Sequence, residues 1–237
     1  MILGVIPARG GSKGLPKKNI KLLLGKPVVG YTIEIAQKSK KLDRLVVSTE
    51  DPEIVAVSRR FGVEVVKRPS GLAKDSSNID GALKHTVETV EKEGKNVEIV
   101  VWLQANVPIR GEDVVDKVID KLINTGADSV KTMSPVRWPL EKACKIIDNC
   151  IVPYWGTWAK NPRRQDCPEA YIPDGAVYAI KRNVLMQVSK PGVSFDYFFG
   201  KSRVAYVQTK FEHGIEIDDE EEFVLAEMFL ERQQLKD

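Results

Sequence analysis

A chain of 237 residues with 43% hydrophobic and 29% charged side chains is long enough to bury a substantial core and has the composition of a soluble globular protein. Its formal charge of +3 is too mild to argue for nucleic acid, and no stretch approaches the ~18 consecutive apolar residues of a membrane span. Three cysteines, Cys144, Cys150 and Cys167, form no C-x-x-C pair, which speaks against a disulfide framework or zinc site and for a reducing cytoplasm.

The chain opens on an apolar run, residues 2–6, of the kind that forms a strand buried on both faces of a parallel sheet. No basic-then-apolar leader precedes it, which predicts a protein that is neither secreted nor membrane-bound. A loop follows in which Gly10, Gly11 and Gly14 can take positive φ and let main-chain N–H groups approach a ligand. Arg9, Lys13, Lys17 and Lys18 charge that loop positively, as suits a polyphosphate. Neither G-x-x-x-x-G-K-[ST] nor G-x-G-x-x-G can be written across it, so P-loop and Rossmann dinucleotide readings fall away.

Helix over 28–37, strand over 44–50, a helix starting near Asp51-Pro52, and strand over 62–67 then alternate. That spacing predicts βαβ units, and hence a Rossmann-like, mostly parallel doubly wound sheet. A polar loop leads into a helix over 79–90, the most apolar strand spans 97–103, and a helix over 111–124 sets Val114, Val118 and Leu122 on one face. Ligands in such sheets sit beyond the carboxyl ends of the strands, so loops 7–19, 68–78 and 104–110 should share one rim.

From residue 129 the pattern shifts. Runs 143–148 and 150–155 flank Asn149 as a hairpin, with Trp138, Trp155 and Trp158 nearby. A basic loop, 160–165, precedes a turn at Asp174-Gly175 that runs into a strand ending at residue 180. A strand over 201–208 and a helix over 219–233, capped by Asp218 or Asp219, complete a single domain over 1–237. His85 and His213 have no partner at ligand spacing and read as structural or surface residues.

The segment IPARGGSKGLPKKNI resembles the first motif of the CMP-sialic acid synthetases, cytidylyltransferases that activate acidic nine-carbon sugars, and the likeness covers most of the chain in order. It implies a fold of the nucleotide-diphospho-sugar transferase type, a homodimer joined through an extension at about 135–170, Mg2+ as cofactor, and CTP with an acidic keto-sugar as substrates. It implies a triphosphate held by Arg9, Gly10, Gly11, Ser12, Lys13 and Lys18, with Asn19 near the nucleotide, and a base read by Arg68, Ser77 and Asn78. Gln104, Arg164, Asp174, Tyr178, Phe198 and Phe199 would face the sugar. Asp218 and Glu216 would hold the metal, and Arg9, Lys13, Lys18 and Asp218 would carry catalysis.

The chain departs from the family pattern at three places. Gln-Ala-Asn-Val-Pro-Ile-Arg stands where the family has Gln-Pro-Thr-Ser-Pro-Leu-Arg, Asp174 stands for an Asn, and Glu216 for an Asp. These leave open another base or acceptor, such as GTP, KDO or a sugar phosphate, and a non-catalytic nucleotide-binding homologue. Arg110 reads as half of a structural ion pair.

Overall fold

A computed structural model describes residues 1–12, 14–73, 79–160, 163–187 and 203–235. In chain order its main elements are β1 (Ile2–Pro7), β2 (Leu22–Leu23), β3 (Lys26–Pro27), α1 (Val28–Gln37), β4 (Arg44–Thr49), α2 (Pro52–Arg60), β5 (Glu64–Lys67), α3 (Ile79–Glu91), β6 (Ile99–Trp102) and α4 (Val114–Thr125). Then come β7 (Ser129–Pro135), β8 (Cys144–Ile147), β9 (Cys150–Pro153), β10 (Tyr171–Lys181), α5 (Arg182–Gln187), β11 (Val204–Gln208) and a terminal helix, Glu220–Gln234.

Seven strands form one sheet in the order β11-β7-β10-β6-β1-β4-β5. Strand β1 lies inside it, parallel to β4 and β6, with Leu3, Val5 and Ile6 fully buried as an apolar run without alternation demands. Strand β10 is antiparallel to both neighbours, β6 and β7, so the sheet is mixed at this one strand. Strand β7 is missing from the sequence reading because SVKTMSP shows no apolar run, although Lys131 and Thr132 are buried in it.

Residues of α1, α2 and α4, including Ile33, Ile54 and Ile119, cover one face, and Leu83, Val87 and Leu185 cover the other. A third cluster matters most for function. Leu15, Leu23 and Val28 from the N-terminal region pack with Ile215, Ile217, Phe223, Ala226 and Leu230. Ile217 is fully buried, and burying such a side chain contributes about 1.5–3 kcal/mol. The segment before the terminal helix is thereby anchored beside the first loop.

The expected hairpin is β8–β9, turned by Asp148 and Asn149 at φ 49° and 61°, the left-handed geometry that two-residue hairpin turns need and that Asp and Asn tolerate. The turn at Asp174-Gly175 is instead a register shift inside β10, between Pro173 and Tyr178, with Gly175 at φ 70°. Among the described residues no helix is long and apolar enough to cross a membrane, and Cys144, Cys150 and Cys167 are free thiols.

Candidate active site

The first loop leaves β1 at its carboxyl end. Its described glycines, Gly10, Gly11 and Gly14, are not among the residues with positive φ, so backbone freedom is not their use here. Close approach is. A Cβ at Gly10 would overlap the carboxylate of Asp51, which caps α2 through the amides of Glu53 and Ile54, and a Cβ at Gly14 would overlap the carbonyl oxygen of Asp218. Gly11 meets nothing within 4 Å. Lys17 takes the left-handed conformation, φ 54°, just ahead of the 3₁₀ turn Lys18–Ile20. Asn19 lies buried in that turn. Its Nδ2 donates to the Arg9 carbonyl at 3.0 Å, and its Oδ1 has no hydrogen-bond partner among the described residues.

Glu50, at the end of β4, ties this loop to the next one. One carboxylate oxygen accepts from the Gly10 amide at 2.8 Å, and the other accepts from Arg68 Nε and a terminal guanidinium nitrogen at 3.2 and 2.6 Å. Arg68 is 5% exposed, so the pair is desolvated, and removing either member of such a pair costs about 3–5 kcal/mol. In this structure the guanidinium expected to read a base is committed to Glu50. Arg68 thus sits between the first loop and the loop of residues 68–78, of which Ser77 and Asn78 lie outside the described residues.

The carboxyl end of β6 and the amino-terminal half of antiparallel β10 build the other wall. Arg110 is buried, and among the described residues no ion pair holds it. Its guanidinium donates to the carbonyls of Gln104 (2.6 Å), Ala176 (2.8 Å) and Val107 and to the Thr32 hydroxyl (2.8 Å). Burial lowers its proton affinity and Asp174 opposes that. The expected ion pair is replaced by a clamp on loop carbonyls, whose buried oxygens require donors.

With that loop fixed, Gln104 and Asn106 present their amides on one side. Gln104 lies over Gly175, where a Cβ would come within 2.8 Å of its side chain. With its nitrogen facing Glu216, Gln104 donates to the two carboxylate oxygens at 2.5 and 3.2 Å.

Glu216 and Asp218 flank buried Ile217 and so share the open side. Lys18 Nζ donates to Asp218 Oδ1, which joins the first loop to the acidic segment. Burial, and then the neighbouring Asp218 charge, raise the Glu216 pKa above the ordinary carboxylate value, against the amide of Asn106 and the charge of Lys18. The helix cap is resolved in favour of Asp219, whose carboxylate accepts from the Glu222 amide at 2.9 Å, so Asp218 is left for other work.

Asp174 belongs to the scaffold of β10. It is 4% exposed and accepts from the Thr132 and Thr209 hydroxyls and the Ala176 amide. An ionised carboxylate accepts only, and three donors meet it here. Its sugar-facing assignment is therefore replaced by one of holding the register shift over which Gln104 lies. Tyr178 stacks on Trp102 with ring centroids 4.1 Å apart, and burial raises its hydroxyl pKa.

Arg164 lies exposed on the extension, 5.8 Å from the Trp138 ring, in a hollow shared with Tyr171 and Gln208 rather than with Glu216 and Asp218. Ser12 is half-buried beside Gly11, and Lys13, Phe198 and Phe199 lie outside the described residues.

Among the described residues no three His, Cys, Asp or Glu side chains converge as a metal cage. Two carboxylates within reach of a single amide nitrogen, opening to solvent at Asp218, are nonetheless a hard-oxygen donor set. That set fits a divalent cation completed by phosphate oxygens and water.

Residues 3–229 match the family model for cytidylyltransferases. The chain is 30% identical over 177 residues to the pseudaminic acid cytidylyltransferase of Campylobacter jejuni subsp. jejuni, covering 74% of this chain and 76% of that protein. It is 28% identical over 234 residues to the CMP-N,N'-diacetyllegionaminic acid synthase of Legionella pneumophila subsp. pneumophila, covering 98% and 97%. A solved CMP:2-keto-3-deoxy-manno-octonic acid synthetase complexed with CTP superposes with a TM-score of 0.72 over 98% of this chain and 99% of that one, at 18% identity, a likeness of fold. With a cation-bearing loop after β1 bonded to carboxylates near the far end, and a match running through nearly the whole length between them, the chain belongs to the cytidylyltransferase family.

Proposed function

We propose that this cytidylyltransferase joins CTP to an acidic 2-keto sugar of the nonulosonic class, such as a sialic, legionaminic or pseudaminic acid, and releases pyrophosphate. The anomeric hydroxyl attacks the α-phosphorus as the bond to the β-phosphate oxygen breaks, a reaction that asks the protein for positioning and charge more than for covalent help. The observation that carries the reading is the bond between Lys18 and Asp218, which sets cation and carboxylate side by side at one rim. Arg9 and Lys18 supply positive charge to the phosphates, and the Gly10 to Ser12 backbone approaches them closely. Glu216 and Asp218 would hold Mg2+, which when bound neutralises phosphate charge. Relatives named for pseudaminic and diacetyllegionaminic acids support the sugar class.

The test is pyrophosphate release with each of four nucleoside triphosphates against sialic, legionaminic, pseudaminic and KDO acids. We expect CTP with a nonulosonic acid to exceed every other combination by at least ~100-fold, as expected where a site hydrogen-bonds its substrate. Equal rates with GTP, or activity with KDO alone, would overturn the assignment.

We also place the protein in the cytoplasm, in keeping with its free thiols, and as a homodimer. The extension exposes Trp138, Ile146, Ile151, Trp155 and Trp158 at 60–79% of their surface, an apolar patch that a second copy would cover. Light scattering should give twice the chain mass, and Ile146→Lys with Ile151→Lys should shift it to the monomer. A monomeric parent chain would remove the dimer.

A further inference from the structure

Two departures from the family pattern, far apart in sequence, meet in space. Asn106 occupies the Thr position of the Gln-Pro-Thr-Ser-Pro-Leu-Arg motif, and Glu216 occupies the first Asp of the acidic segment. Asn106 Nδ2 lies 3.3 Å from Glu216 Oε1, 3.2 Å from Asp218 Oδ1 and 3.0 Å from the Ile217 carbonyl, while the Ile217 amide donates to the Asn106 carbonyl at 2.9 Å.

Asn106 is 6% exposed, and its bond to the Ile217 carbonyl is buried while those to the two carboxylates open toward solvent. One carboxamide therefore sits between the two carboxylates, stitched to the residue that separates them. We propose that Asn106 is a positioning residue that sets the spacing of the Glu216 and Asp218 carboxylates, and that Asn106 and Glu216 work as a matched pair.

The chemistry favours an amide at this point. Like charges held close repel, and a donor between them lowers that repulsion. A neutral donor does so without adding a charge that competes with a cation, and Lys18 already supplies a cationic partner to Asp218. A Glu is one methylene longer than an Asp, so its carboxylate must be held in a fixed place to stay level with Asp218. Gln104 and Asn106, two residues apart on a loop clamped by Arg110, hold it from one side. A threonine at 106 has a shorter side chain with a single O–H donor, where the carboxamide has two, and it could not serve both carboxylates.

The inference rests on the cation-assisted reading above, and its test separates the two. Mn2+ binding is followed by electron paramagnetic resonance in the presence of CTP and absence of sugar, for the parent chain, Asn106→Thr, Glu216→Asp and the double variant. Removing a partner that orients a metal ligand weakens metal affinity by roughly 10–100-fold.

Each single variant is expected to lose about 10-fold in Mn2+ affinity with its KM for CTP little changed. The double variant, which restores the family's pairing of Thr with Asp, is expected to recover most of that loss. Losses that multiply in the double variant, or an Asn106→Thr affinity equal to the parent's, would overturn the pairing. Failure of the parent chain to bind Mn2+ with CTP would overturn the cation reading itself. Thermal melting monitors folding, and Asn106→Ser, which leaves the main-chain bond to Ile217 intact, replaces Asn106→Thr if that variant melts early.

Discussion

Asp218→Ala should lower kcat for pyrophosphate release by roughly 10²–10³-fold or more, the loss seen when one preorganised charge partner leaves a reacting centre. The fold should be spared. Its side chain is 60% exposed, its ion-pair partner among the described residues is Lys18, and surface pairs contribute about 0.2–1 kcal/mol. The terminal helix keeps its cap, because Asp219 supplies it. A melting midpoint near that of the parent with turnover nearly abolished is therefore the expected pattern. Full turnover at saturating Mg2+ would remove Asp218 from the site.

Gly14→Ala should be nearly as damaging for a different reason. The added methyl would overlap the Asp218 carbonyl oxygen and lie 3.3 Å from its carbon. Both atoms belong to backbone, so no side-chain rotation relieves the clash. Loop and acidic segment must move apart, and a displacement of about 1 Å in a positioned site can cost roughly 100-fold in rate. Gly14 is exposed, so no core packing is lost. The expected result is a fall in kcat/KM of about that size with a melt close to the parent's. A variant with parental kcat/KM would mean that this approach of two backbones is dispensable.

What the sequence disclosed was local. The opening apolar run, the loop of glycines and cations, and the Glu216-Ile217-Asp218 alternation each carry their own signal within a few residues, and each lies where that signal puts it. Strand β7 and the inward face of Asp174 stayed hidden because their stability comes from partners elsewhere. Thr132, Thr209 and the Ala176 amide satisfy a carboxylate that looks solvent-seeking on paper. Arg110 looks like half of an ion pair for the same reason, since the carbonyls it serves are invisible to side-chain patterns. Asn106 was legible only as a departure from a motif. Its meaning lies 110 residues downstream, at Glu216.

Lys18 and Asp218 stand 200 residues apart in the polypeptide. Closing a loop of that length carries an entropic cost that local contacts do not meet, so it is held by the packing of Ile215 and Ile217 against the N-terminal region. A nascent chain lacks the carboxylate side of this junction until residue 218 has been added.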